Sequence, residues 1–177
     1  MTPLATDSVT LQASREDHRI AALAALAITI QVAEAALPSP LPGVKPGLAN
    51  VITLVVLVQL GWRAAAQVAL LRVLGASLLL GTFGSPAFVL SLSGALAAVA
   101  SMGLTRLLPA TGPLGIGAVS GMAHITGQFL VAWYWLLPVP GLIRLLPILL
   151  SFALAFGILS GMIANVLLHD TPRTATR

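Results

Sequence analysis

The chain has 177 residues, of which 58% are hydrophobic and 8% charged, with a mean hydropathy of +1.00. A soluble domain carries roughly 45–50% apolar and about 25% charged residues, so nine basic and five acidic side chains are too few to coat a cytosolic enzyme. The net charge of +4 does not mark a nucleic-acid binder either, because the basic residues are scattered singly, with no cluster to track a phosphate backbone.

Residues 1–19 are polar (Asp7, Ser8, Arg15, Glu16, Asp17, His18, Arg19) and are expected to form a frayed cytoplasmic tail. Ile20–Leu37 is the first apolar run. Ala33-Glu34-Ala35 inside it fits a small-x-small cleavage pattern, but the run is long for a signal peptide and a chain that spans many more times needs no removable one. Leu37-Pro38-Ser39-Pro40-Leu41-Pro42-Gly43 is a stiff loop, because proline fixes φ and lacks an N–H. It is long enough to fold over the outer mouth of a bundle as a lid. Leu48–Trp62 and Ala64–Leu80 follow, separated only by Arg63, so a single re-entrant hairpin is the alternative to two spans there. Pro86–Leu108, Leu114–Leu137 and Leu142–Leu168 complete six predicted helices, with a second proline-rich loop at Leu137-Pro138-Val139-Pro140-Gly141. Residues 169–177 form a short C-terminal tail.

The fold class expected is therefore all-α: a polytopic, six-transmembrane-helix bundle over residues 20–168, in contact with the lipid bilayer. With a cytoplasmic N-terminus, Arg15, Arg19, Arg63, Arg106, Arg173 and Arg177 lie inside, and only Lys45 and Arg144 lie outside. The excess of inner positive charge favours two cytoplasmic termini in a bacterial cytoplasmic membrane. Gly117-x-x-x-Gly121 and Gly157-x-x-x-Gly161 let helix backbones approach closely. Ala21-x-x-x-Ala25 is a weaker version, suited to docking another membrane subunit.

Several chemistries are missing. Without cysteine there is no disulfide framework and no thiolate. The only lysine, Lys45, sits in Gly43-Val44-Lys45-Pro46-Gly47, which is not a phosphate loop. The five acids are dispersed, and His18, His124 and His169 are far apart, so no metal site, cofactor or autonomous enzyme is expected.

Ionisable groups within a span are site hypotheses by default. At 1.5 Å per residue, Arg72 lies about 13 Å past Arg63, His124 about 15 Å past Leu114, and Glu34 about 22 Å past Arg19. Ser120, His124 and Gln128 repeat at helical spacing and form one polar stripe. Gln31 shares a face with Glu34, and Asn50 with Thr53. Four predicted helices thus carry polar patches in their middle or outer halves, which suits a pocket opening outward. The plainer alternatives are an Arg72–Glu34 ion pair, a His124 bonded to a carbonyl, and interhelical hydrogen bonds from Asn50 and Gln128. Trp133, Tyr134 and Trp135 fit an interfacial aromatic belt.

The stretch Leu41-Pro42-Gly43-Val44-Lys45-Pro46-Gly47-Leu48-Ala49-Asn50-Val51-Ile52-Thr53-Leu54 resembles the signature of the Gx transporter family, also labelled heptaprenyl diphosphate synthase component I. Leu71-Arg72-Val73-Leu74-Gly75-Ala76-Ser77-Leu78-Leu79-Leu80-Gly81 is similar as well. Gly121-Met122-Ala123-His124-Ile125-Thr126-Gly127-Gln128 resembles the family's run of Gly, His, Gly and Gln in this order, with Ile125 in place of the usual Asn; Pro46 likewise replaces an apolar residue. The family looks like a relative of the S components of energy-coupling-factor transporters. The resemblance implies a six-helix subunit that captures a small solute, energised by a separate coupling membrane subunit and ATPases. The substrate contacts expected from the polar residues themselves are Glu34, Lys45, Asn50, Arg72, His124 and Gln128, and the resemblance implies docking at Ala21 and Ala25. The second family label implies the alternative, a non-catalytic membrane component of polyprenyl diphosphate synthesis that needs a soluble partner.

Overall fold

The computed structural model describes residues 13–36, 48–105, 107–108 and 111–170; Lys45, the proline-rich segment 37–43, Arg106, Arg173 and Arg177 lie outside them. The elements are α1 (Arg15–Ala36), α2 (Leu48–Leu60), α3 (Trp62–Leu79), α4 (Pro86–Thr105), α5 (Pro113–Val131) and α6 (Leu146–Asp170). A π-helical turn (Ala132–Leu136) continues α5, and a 3-10 turn (Pro140–Leu145) leads into α6. No strand occurs among the described residues.

Helix α1 begins ahead of its apolar run. The Ser14 hydroxyl accepts the Asp17 N–H at 3.1 Å, while Asp17 Oδ2 accepts from the Ser14 N–H and hydroxyl, each at 2.8 Å. This is a capping box with Asp in the place of Glu. Glu16 and Asp17 also complement the positive end of the helix dipole. Arg15–Arg19 are therefore helical, where composition alone led us to expect a frayed tail.

Five helices are long and apolar enough to cross a membrane: α1, α3, α4, α5 with its π turn, and α6 with its 3-10 turn. Helix α2 differs. Its 13 residues reach about 20 Å, short of a hydrocarbon core about 30 Å thick. Every residue from Val51 to Leu57 is buried, and α1, α3, α5 and α6 all pack on this helix. A helix apolar on all sides belongs inside a structure, which is where the second predicted span lies. Gly61, at φ 94°, joins it directly to α3; its N–H is shared by the Val56 and Leu57 carbonyls at 3.2 and 3.1 Å. Only glycine takes that backbone conformation without strain. Next to it, Trp62 Nε1 donates to the Val99 carbonyl at 2.9 Å, tying the start of α3 to α4.

The hydrophobic core gathers Ala24 and Ala27 of α1, Val51–Leu57 of α2, Ala64, Ala65 and Val68 of α3, Met102 of α4, Ile116 of α5 and Ala164 of α6. The middle of α1 and the starts of α3 and α5 thus meet the later parts of α4 and α6, as in an up-and-down bundle. The buried residues are mostly small, while Leu78, Leu79, Leu104, Phe83 and Trp135 face outward. A soluble core inverts that order; in lipid, small residues bring backbones together and large ones meet acyl chains.

The two GxxxG motifs are halves of one seam. A Cβ on Gly117 would lie 2.5 Å from the Gly157 carbonyl oxygen, and one on Gly161 would lie 2.7 Å from the Leu114 Cα. Neither obstacle is a movable side chain. Gly157→Ala is expected to destabilise the fold by about 1–3 kcal/mol, read as a lower thermal midpoint of the purified protein. Gly141→Ala, where a Cβ meets nothing within 4 Å, should leave the midpoint unchanged.

Candidate functional site

A cavity of about 240 Å³ opens among all six helices. Helix α1 contributes Gln31 and Glu34, α2 contributes Asn50 and Leu54, and α3 contributes Arg72. Leu90 and Ser91 come from α4, Ser120, His124 and Gln128 from α5, and Phe156 and Ser160 from α6. These positions fall in the second half of α1, the first parts of α2 and α4, and the middle of α6. The cavity therefore lies beside the packed core, with Leu54 common to both.

Helical spacing explains who reaches it. On α5, Gly117, Ser120, Gly121, His124, Ile125 and Gln128 all line it, a continuous stripe at three- and four-residue steps. On α2, Leu54 follows Asn50 into the wall, whereas Thr53 does not. The face expected to carry Asn50 and Thr53 together is thus divided. Lys45 lies outside the described residues. Glu34, Asn50, Arg72, His124 and Gln128, picked out from five separate segments, border one space.

The electrostatics are unusual for an apolar bundle. Glu34 and Arg72 are 5% and 4% exposed. Glu34 is close enough to act on the Arg72 charge, and Arg72 on His124. The Gln128 amide nitrogen lies 3.1 Å from His124 Nε2. Which group donates there, and whether the ring proton sits on Nε2 or Nδ1, depends on the His124 tautomer, and the Gly94 backbone also hydrogen-bonds the ring. His124 Nδ1 and the Arg72 Nε are both buried without a hydrogen-bond partner, as is the Thr53 hydroxyl. A buried donor or acceptor left unmet costs about 1–3 kcal/mol. Two of the three stand in the cavity wall; Thr53 does not. Among the described residues no three His, Asp or Glu come together as metal ligands.

Sequence reasoning missed Ser91, Ser160 and Gly94. A Cβ on Gly94 would come within 2.8 Å of His124 Cε1 and Nε2 and of Gln128 Cγ, so this glycine makes the space in which the His124–Gln128 pair lies against α4. A glycine in the middle of an apolar helix was the available signal. Ser160 was hidden inside a motif read only as packing. Ala21 and Ala25 lie on the exposed side of α1, with Ala24 and Ala27 turned to the core. Tyr134 and Trp135 are exposed on the π turn, and Trp133 packs on Phe129 and Tyr134 with ring centroids 6.2 and 4.9 Å apart.

Residues 23–167 match the protein family described as heptaprenyl diphosphate synthase component I. No curated protein and no solved structure matches the chain.

Gly94→Ala is expected to lower the thermal midpoint by forcing His124 and Gln128 aside, at a cost of about 1–3 kcal/mol. Adding His124→Ala should restore part of that loss, since it removes one of the two side chains in the way; strictly additive losses would sever Gly94 from the pair. Thr53→Val, which removes a buried hydroxyl without a partner, should raise stability by about 1 kcal/mol.

Proposed function

We propose, on the premise that the chain belongs to the heptaprenyl diphosphate synthase component I family, that it is a membrane substrate-binding subunit of a small-molecule uptake transporter. Separate ATPase and coupling subunits energise it. The observation that carries this reading is the lining of one cavity by Glu34, Arg72, His124 and Gln128, within helices of membrane-spanning length. Polar groups at such depth are costly unless a pathway or a ligand uses them.

In this reading Arg72, joined by Lys45 from the segment ahead of α2, attracts an anionic or strongly polar group. His124, Gln128 and Asn50 fix its orientation. Glu34 pairs with Arg72 in the empty site and yields when the ligand enters. The cavity faces outward from a bacterial cytoplasmic membrane with both termini inside, and the small residues Ala21 and Ala25 on the exposed side of α1 receive the coupling subunit.

The family's description supports a second reading, a non-catalytic membrane component of a heptaprenyl diphosphate synthase system. A soluble partner would then carry the metal-binding aspartates. Co-purification separates the two: ATPase and coupling subunits support transport, and a soluble prenyl synthase subunit supports the alternative. Native mass spectrometry of the gently extracted chain should reveal a retained small molecule. Arg72→Ala should abolish its retention while membrane insertion persists; unchanged retention would remove Arg72 from the site.

A further inference from the structure

We infer that the cavity takes a compact molecule of no net charge, with an amide-type group on an apolar body, and that it refuses a carboxylate or an ammonium of the same shape. The inference rests on reading the cavity as a ligand site and goes further, choosing an uncharged polar group over an anionic one.

Charge balance sets the valence. Among the described lining residues Arg72 is the one cation and Glu34 the one anion, and the two interact electrostatically. The His124 imidazole lies near enough to feel that cation and is neutral there, because a second enclosed positive charge would have no counter-ion. An entering carboxylate must give up its water and share one guanidinium with Glu34. An entering ammonium must give up its water and share one carboxylate with Arg72. An uncharged group loses less hydration and leaves the wall balanced, whatever rearrangement of the pair admits it.

The unmet polar atoms set the group. Arg72 is 4% exposed, and its Nε–H is buried with no acceptor. A guanidinium only donates, so what meets it must accept. His124 Nδ1, on another helix of the same wall, is also buried without a partner. Gln128 and the Gly94 backbone hydrogen-bond the ring. With the ring proton on either nitrogen Nδ1 stays unmet, as a lone pair in one tautomer and as an N–H in the other. An amide accepts through its oxygen and donates through its N–H, so it serves Arg72 together with either form of Nδ1. Gln31, Asn50 and Gln128 add side chains that likewise both donate and accept.

Size and polarity set the body. The remaining wall includes Leu54, Leu90, Ile125 and Phe156. The volume of about 240 Å³ is below the roughly 300–1,000 Å³ of pockets for drug-sized ligands. A compact hydrocarbon group fits such a wall.

The test uses the full chain in lipid nanodiscs with four probes of one shape: benzamide, benzoate, benzylamine and toluene. Benzamide is expected to raise the thermal midpoint saturably and the other three to leave it unmoved. Unbalancing the wall should then switch the preference. Glu34→Gln should admit benzoate at least tenfold more tightly than the unaltered chain does, and Arg72→Gln should do the same for benzylamine while weakening benzamide by about tenfold. The double substitution Glu34→Gln with Arg72→Gln restores neutrality, so it should again exclude both ions and keeps the charge argument testable where a single substitution fails to fold. Benzoate, benzylamine or toluene acting on the unaltered chain as strongly as benzamide would overturn the inference, as would single substitutions that fold and bring in neither ion. A benzoate preference that disappears in Lys45→Gln would overturn it by returning Lys45 to the site. If benzamide fails while a charged molecule is found retained by mass spectrometry, the charge assignment falls and the binding-subunit reading survives. If no probe acts and nothing is retained, both fall.

Discussion

An arginine placed at the middle of α3 cannot be left facing hydrocarbon. Even the mildest scales put a cation at the centre of a membrane helix about 2.5–3.5 kcal/mol above water, and Arg72 is 4% exposed. The bundle must therefore surround this side chain with something other than lipid. It does so by turning Glu34, Asn50, His124 and Gln128 toward one space. The cavity and the polarity of its wall both follow from that requirement.

Enclosing a polar space demands that helices come close elsewhere. Lipid tails are as apolar as the helices, so the closure depends on backbone fit more than on hydrophobic drive. The seam of Gly117, Gly121, Gly157 and Gly161 supplies that fit between α5 and α6, and three of those glycines also border the cavity. Gly94 does the same on α4, where the absence of a Cβ admits His124 and Gln128. The short α2 fills the region beside the cavity with aliphatic side chains. One part of the bundle is thereby packed, and the adjoining part keeps its space.

This division bears on the two functional readings. A prenyl diphosphate site needs acids that hold metal and room for a long chain, and the described wall has one carboxylate and a volume of about 240 Å³. A chain of this family that assists such a synthase would act through a partner's chemistry. A chain that captures a solute would use the space it already has.

Much was already legible in the residues. The extent of the apolar runs placed all six helices, and the recurrence of Ser120, His124 and Gln128 placed a polar stripe on α5, because helical periodicity is a local property. The capping box at Ser14 and Asp17 was local too, but polar composition masked it. Other features were not legible for a physical reason: which faces meet depends on contacts between residues far apart in the chain. Nothing within Leu48–Leu60 says that it is enclosed by four neighbours, nor within either GxxxG motif that the other is its partner. The sequence by itself determined the helices and the need to hide Arg72; only the tertiary packing decided that six helices hide it around a single cavity, with Gly94 leaving the room.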